Sequence, residues 1–394
     1  ILSFGLALYS ASKVKVGEAL GRGDQRAVRR SLVAFVRLAW PLGAISTVVA
    51  IAVVFSLLPR LAGEGVGELA AEYTAIRALS FPLALWVAAL ASWLQAQGKP
   101  RAPMLAALIG VLVHVPLNAW LLFGLGWGVR GLAVASFASQ AVEAAALWWL
   151  VRPHLAVDER VAWRESWSAF VVGLPTGIER VLDMAAFAAV PLLLAQVGAI
   201  AVASHQIALQ LSQFSFLPLI ALSDGGAILV SQAVGANRRE LVARVGWATV
   251  SLASLTACAL AAGLYFGRFW LVGWFTSEAP LLASATATLV FAALLQFVNA
   301  TYNALKGILR GLSEFRFVAR VTVGVAWIIT PPLTWLVGVR YAWGAPGAWA
   351  VLCVEVSLGT LLLVRRLAQL RSRTLAAAVA PVNPAALRSR PSSS

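Results

Sequence analysis

The sequence predicts an all-α integral membrane protein with about eleven transmembrane helices in two pseudo-symmetric bundles. Of 394 residues, 60% are hydrophobic and only 12% are charged, whereas a soluble domain carries about 25% charged residues. Apolar runs long enough to cross a bilayer, each roughly 20 residues, follow one another from residue 1 to about residue 370. Because hydrocarbon offers the backbone no hydrogen bonds, we expect these spans to be helices.

Proline, glycine and charged residues separate the apolar runs and give approximate bounds for each helix. The last segment, residues 371–394, is rich in Ala, Pro, Arg and Ser and is predicted to be a disordered cytoplasmic tail. The predicted spans are residues 1–19, 31–58, 73–97, 103–125, 129–151, 166–190, 200–234, 244–275, 280–310, 316–339 and 345–370.

The net charge of +15 is spread over the connecting loops. The loops on one side, together with the tail, hold 23 Lys and Arg residues, and the opposite side holds five. Such scatter does not indicate nucleic-acid binding, which needs basic residues on one surface. By the positive-inside rule, the basic loops and the C-terminus are cytoplasmic. We therefore predict a multi-pass protein of the bacterial plasma (inner) membrane.

An internal repeat divides the chain. Residues 14–21 align with residues 228–235, Pro116 aligns with Pro331, and residues 127–131 align with residues 343–347, at offsets of 214 to 216. Repeats of this kind are typical of transporters, with the substrate path between the halves.

The repeat predicts an N-terminal lobe of five helices over residues 1–151 and a C-terminal lobe of six over residues 166–370. A cytoplasmic linker, residues 152–165, would join them. Because the first lobe has one helix fewer, we expect its first helix to be missing and the chain to be N-terminally incomplete.

Two acidic residues in the sixth span are the leading candidates for ion coupling. Glu179 and Asp183 are four positions apart, so both project from one helix face. An ionisable side chain at a helix centre costs about 2.5–3.5 kcal/mol in a bilayer, which makes a function the default expectation. Either carboxylate could exchange a proton or act as a ligand for Na⁺. Either residue could instead be structural, in an ion pair with Arg180 or Lys306.

Six other polar residues within spans are candidates for ion or substrate binding. Four of them form two pairs with a spacing of four residues, so each pair shares one helix face. Each residue could instead join helices through hydrogen bonds alone. The six are Asn299, Asn303, Gln206, Asp224, Asn118 and His114.

Three further ionisable residues are expected to lie near the membrane surfaces. His205 is predicted to be interfacial, and Lys13 and Lys15 to extend to the cytoplasmic edge. The sequence contains no phosphate-binding loop, no His pair on one helix and no Gly-x-Ser-x-Gly motif. We therefore predict a protein that is not an enzyme and has no cofactor.

Short motifs in a consistent order carry a family resemblance from residue 1 to about residue 370. The chain resembles the multidrug and toxic compound extrusion (MATE) family, which implies twelve helices in two lobes, a central cleft and antiport driven by Na⁺ or H⁺. The motifs are Gly173-Leu174-Pro175, Ser204-His205-Gln206-Ile207-Ala208, Val230-Ser231-Gln232-Ala233-Val234-Gly235-Ala236, Leu309-Arg310-Gly311 and Gly344-Ala345-Pro346-Gly347.

The resemblance also implies positions for the coupling residues. In the sodium-coupled branch an acidic residue lies ten positions after the glycine of Gly-Leu-Pro, which is Asp183 here, and a later acidic position falls on Asn299. The proton-coupled branch has Asn-x-x-x-Asp in its fifth helix, where this chain has His114-x-x-x-Asn118. Neither acidic set is complete, so the coupling ion stays open between Na⁺ and H⁺.

Together these features predict a secondary active antiporter that exports cationic amphiphilic small molecules by alternating access. We expect a monomer in the lipid bilayer. One alternative is a flippase for lipid-linked saccharides of the same superfamily. Another is a non-transporting remnant without its first helix.

Overall fold

The computed structural model describes residues 2–62, 65–155 and 161–379, and these residues form thirteen α-helices and two short π-helical segments without any strand. The predicted all-α fold is confirmed. The first seven helices are α1 (Leu2–Leu8), α2 (Ser10–Gly21), α3 (Gln25–Ala62), α4 (Val66–Ala78), α5 (Phe81–Ala96), α6 (Arg101–Ala119) and α7 (Gly128–Leu155). The others are α8 (Trp163–Leu194), α9 (Ala199–Gly235), α10 (Arg239–Gly273), α11 (Ala279–Gly311), α12 (Phe315–Leu333) and α13 (Gly344–Val379).

Eight helices of the described part are long and apolar enough to span a membrane, and α4 with α5, bent by 44° at their junction, make a ninth candidate. The other two predicted spans fall on the short helices α1 and α2 and on α8. Helix α8 is long enough to span a membrane, but three charged residues, Glu179, Arg180 and Asp183, interrupt its apolar run in the middle. The span that carries the leading candidates thus has three charged residues in its middle.

The internal repeat is visible in how the helices end. Helices α2 and α9 are each followed by a residue with positive φ, two positions after the last helical residue. These residues are Gly23 (φ 74°) and Asn237 (φ 54°). The same holds for helices α5 and α11, with Gly98 (φ 75°) and Ser313 (φ 62°). A left-handed residue after a helix ends the hydrogen-bond ladder and turns the chain back.

Matching π-helical segments also occur in the two halves. Trp120–Gly124 follows α6 after Pro116, and Thr334–Arg340 follows α12 after Pro331. A proline inside a helix removes one backbone hydrogen bond, and the chain accommodates the loss by widening the following turn.

The helices of each half pack around cores of their own. Helices α2, α3, α5, α6 and α7 surround the fully buried Leu90 and Leu147. Helices α9, α10, α11 and α13 surround Leu289 and Trp349. We call α1–α7 the N-terminal lobe and α8–α13 the C-terminal lobe.

Two predicted segments differ in extent from the structure. Helix α7 continues to Leu155 and α8 begins at Trp163, so helix occupies part of the predicted linker, of which residues 156–160 lie outside the described residues. Helix α13 continues to Val379, past the predicted start of the tail, and residues 380–394 lie outside the described residues.

Close contact joins the lobes at the ends of α2 and α9. A Cβ atom on Gly21 would lie 2.1 Å from the Gln232 carbonyl oxygen, and one on Gly235 would lie 2.1 Å from the Glu18 carbonyl oxygen. The two backbones can approach this closely only because neither glycine has a side chain. The lobes are thus closed against each other at the end that carries the basic loops.

Candidate functional site

A buried ionic cluster joins α8 to α11. Glu179 is 3% exposed, and its Oε1 atom lies 2.8 Å from Lys306 Nζ and 2.7 Å from an Arg310 guanidinium nitrogen. Buried charges cost several kcal/mol each unless they are paired. Two cations therefore neutralise Glu179, which is the structural ion pair that the sequence left open, with Lys306 and Arg310 rather than Arg180 as partners.

Arg310, at the end of the predicted span 280–310, was not among the candidates predicted from sequence. Arg310 belongs to the last turn of α11, and its guanidinium extends back into the C-terminal lobe. Lys306 and Arg310 are four residues apart and share one helix face. That spacing was the available signal, but it does not say which helix provides the acid.

Asp183 lies one turn after Glu179 and is half-buried. It interacts electrostatically with Lys306, Glu179, Arg180 and Arg310. No described residue forms a hydrogen bond or close ion pair with its carboxylate, whereas Glu179 holds both buried cations at contact distance. The carboxylate of Asp183 is therefore available to another cation.

Glu355 is a third carboxylate in this region, and sequence analysis missed it. It is half-buried on α13, accepts a hydrogen bond from Thr330 of α12, and interacts electrostatically with Asp183 and Lys306. An acidic residue inside the predicted span 345–370 was the signal that could have identified it. With Glu355 included, three carboxylates of this region interact with Lys306, and only Glu179 contacts it.

A cavity of about 270 Å³ lies between the lobes. Within it Asp224 of α9 lies 2.6 Å from Lys13 of α2, so this ion pair crosses from one lobe to the other. The expectation that Lys13 extends to the cytoplasmic edge is wrong, because a carboxylate on the facing lobe holds its ammonium group inside. The lining residues are Ser3, Leu6, Ala7, Ser10, Lys13, Ser92, Arg180 and Asp224.

The candidate amides bond mainly to neighbours on their own helices. Asn303 donates to Asn299 Oδ1 at 2.7 Å, and Ser223 donates to the Asn303 carbonyl oxygen at 2.6 Å. In the N-terminal lobe, Asn118 Nδ2 lies 2.9 Å from His114 Nε2. Helix α6, which carries this pair, packs against α7 and α5, so the pair is separate from the ionic cluster of α8 and α11.

Residues 205 and 206 have opposite environments. Gln206 is exposed. His205 is completely buried, and its Nδ1 atom accepts a hydrogen bond of 3.2 Å from Trp349 Nε1. The His205 ring packs between the aromatic side chains of Phe187 and Trp349, and its interfacial position in the membrane stays a prediction.

The described residues contain no group of three or more His, Cys, Asp or Glu side chains that could hold a metal ion. For Glu179, Oε1 is occupied by the two cations, and Oε2 is buried without a hydrogen-bond partner among the described residues. Within the predicted pair, Asp183 thus offers the more accessible oxygen atoms for a small cation.

Comparison with known proteins gives consistent relatives. The chain is 28% identical over 331 residues to the probable multidrug resistance protein NorM of Bacillus cereus, an alignment covering 79% of this chain and 71% of the relative. It is 29% identical to the protein of the same name from Deinococcus radiodurans, covering 89% of this chain and 80% of that protein.

A solved structure described as the outward-facing conformation of a multidrug resistance MATE family transporter of the MOP superfamily is similar in fold. The TM-score is 0.86 at 17% identity, and the match covers 96% of this chain and 86% of that chain. The sequence profile of the MatE family matches residues 1–120 and 175–336. This family consists of transporters rather than enzymes. The chain belongs to the MATE family, as its sequence motifs predicted.

Proposed function

We propose that this chain exports amphiphilic organic molecules by antiport with Na⁺ or H⁺. Two kinds of observation support export of small molecules: the relatives are described as multidrug resistance proteins, and a charged cavity lies between the two lobes. The observation that carries the antiport mechanism is the state of Asp183, an acidic side chain inside a helix of the membrane without a contact partner among the described residues.

Asp183 is the proposed coupling residue because its carboxylate has no contact partner among the described residues. Glu179 is already neutralised by Lys306 and Arg310 at less than 3 Å. Glu355 and Asp183 then share a region of low dielectric, where like charges repel several times more strongly than in water. Uptake of one monovalent cation or one proton relieves this repulsion.

Alternating access would follow if the coupling cation stabilised one arrangement of the lobes and the substrate stabilised another. We propose that residues 1–151 and 166–370 move as two units joined by the linker at residues 152–165. The Lys13–Asp224 ion pair and the glycine contacts of α2 with α9 would have to separate when the cavity opens to the cytoplasm.

We further propose that the protein works as a monomer in the bacterial inner membrane, with its C-terminus in the cytoplasm. The excess of Lys and Arg in the loops at the ends of α2, α9 and α13 supports this orientation. Cationic amphiphiles remain the proposed substrate class, since Asp183 and Glu355 are carboxylates of the buried region without a cation at contact distance among the described residues.

The direct test uses purified protein in liposomes that contain a fluorescent cationic dye such as ethidium. A Na⁺ gradient and a pH gradient are imposed separately, and dye movement is followed by fluorescence. We expect the Na⁺ gradient, the pH gradient or both to drive the dye across the membrane towards the side where its concentration is higher. Equal dye movement with and without either gradient would show that this protein is not a cation-coupled antiporter.

A further inference from the structure

Arg180 lies on the face of α8 that meets the N-terminal lobe. Gly173, Gly177 and Arg180 follow one another along α8 at spacings of four and three residues, so the three positions lie on one face of the helix. Cβ atoms on the two glycines would lie only 2.6 Å from Leu8 and 2.7 Å from Phe4 of α1. This close packing of α1 on α8 holds Arg180 at the cavity between the lobes, whereas the preceding residue, Glu179, faces α11.

The charges that line this cavity do not cancel. Lys13 and Asp224 neutralise each other at 2.6 Å. The guanidinium of Arg180 is exposed and has no hydrogen bond or ion pair with any described residue. Its electrostatic neighbour Asp183, one turn further along α8, does not contact it. The hydrogen-bond donors of this guanidinium are therefore not used by any described residue.

The surroundings of Arg180 suit an oxyanion. The hydroxyl groups of Ser3 and Ser92 line the same cavity and can donate hydrogen bonds. A guanidinium presents a planar set of donors that matches the two oxygens of a carboxylate or phosphate.

We propose that Arg180 is the anchor of an oxyanion subsite, and that the cavity binds amphiphiles that carry a carboxylate or phosphate in addition to a positive group more tightly than purely cationic ones. This inference rests on the proposed export function and adds a preference within its substrate class. Arg180 binds the negative group within the cavity, and the carboxylates of Asp183 and Glu355 attract the positive group.

The test is equilibrium binding of a matched pair of dyes, rhodamine B and rhodamine B ethyl ester. The two dyes share one cationic ring system and differ in a single carboxylate that is esterified in the second. Fluorescence polarisation with purified protein in maltoside detergent gives the Kd of each dye. We expect the wild-type protein to bind the acid roughly tenfold more tightly than the ester, as a charge-assisted hydrogen bond predicts.

Three variants make the test specific. Arg180→Gln should remove the preference for the acid, and Arg180→Lys should keep part of it because the charge remains. Arg340→Gln, which removes an exposed arginine outside the cavity lining, should leave the preference unchanged. Equal affinity of the wild-type protein for both dyes, binding of neither dye, or an unchanged preference in Arg180→Gln overturns the proposal.

A competition arm identifies the source of the oxyanion. If dihexanoylphosphatidylcholine below its micelle concentration displaces rhodamine B from the wild-type protein, the subsite binds a lipid headgroup phosphate. If it does not, the subsite binds soluble organic acids. Binding in detergent requires no ion gradient, so failure of this test is distinguishable from failure of cation-coupled transport in liposomes.

Discussion

Glu179 and Asp183 occupy neighbouring turns of one helix, and their surroundings separate their roles. Glu179 is enclosed by two cations, and loss of its charge would leave both of them buried without a contact partner. Asp183 has only longer-range electrostatic neighbours. At the scale of single residues, we therefore expect Glu179 to act through stability and Asp183 through transport.

The first prediction concerns Glu179→Gln. The variant keeps the shape of the side chain but leaves Lys306 and Arg310 without their shared counter-charge, which should cost about 3–5 kcal/mol. We expect a lower midpoint of thermal unfolding in detergent and a lower yield of folded protein. Glu240→Gln, at an exposed carboxylate in the first turn of α10, is the matched control and should behave as wild type. Equal stability of both variants would show that the cluster does not stabilise the lobe.

The second prediction concerns Lys13 and Asp224, which are 211 positions apart in sequence. Lys13→Met should weaken closure of the lobes because Asp224 is left unpaired in the cavity. The charge exchange Lys13→Asp with Asp224→Lys should restore part of the closure, because an ion pair can form again with the opposite polarity. The readout is a double-mutant cycle on the rate of dye release from the binding cavity. If the effects of Lys13→Asp and Asp224→Lys on this rate are strictly additive, the two side chains are not directly coupled.

At the scale of helices, the contact of α2 with α9 explains how the lobes stay closed at one end. Gly235 and Gly225 lie on the same helix, but a Cβ atom on Gly235 would meet the Glu18 carbonyl oxygen at 2.1 Å, whereas one on Gly225 would meet nothing within 4 Å. Alanine substitutions at these two glycines therefore separate the effect of close helix contact from the general effect of replacing glycine in a helix.

The third prediction follows from this difference. Gly235→Ala should force α2 and α9 apart and increase the population that is open to the cytoplasm. Gly225→Ala should be neutral or slightly stabilising, since alanine favours a helix by up to about 1 kcal/mol over glycine. Distance measurements between spin labels on the cytoplasmic ends of α2 and α9 report the change. Identical distance distributions in the two variants would contradict the proposed role of this contact.

The helix pattern was predictable from sequence because each part of it rests on local signals. Apolar runs bounded by Gly and Pro gave the spans, and the repeat offset gave the paired ends of α2 and α9. The ionic cluster was only partly predictable. Glu179 and Asp183 were identifiable as acids inside a span, but their relation to Arg310 and Glu355 depends on how distant helices pack.

At the scale of the whole molecule, orientation in the membrane decides which end of the cavity is closed. The lobes are in contact at the end with the basic loops. By the positive-inside rule, we expect this closed end to be cytoplasmic.

The fourth prediction tests this orientation. Cysteine at Gly65 should react with a membrane-impermeant thiol reagent in intact cells, and cysteine at Asn237 should react only after permeabilisation. Cys258 and Cys353 must first be replaced by serine, since Cys258 is exposed in the structure. Labelling of both positions from the same side would contradict the predicted topology.

The central claim is that Asp183 couples ion movement to export, and the most direct measurement is gradient-driven dye efflux by Asp183→Asn. The variant keeps the size of the side chain but can neither exchange a proton nor contribute a negative charge. We expect gradient-driven dye efflux from liposomes to fall to the level of protein-free liposomes, while thermal stability stays close to that of the wild-type protein and of Glu240→Gln. Gradient-driven efflux by Asp183→Asn at the wild-type rate would contradict this account.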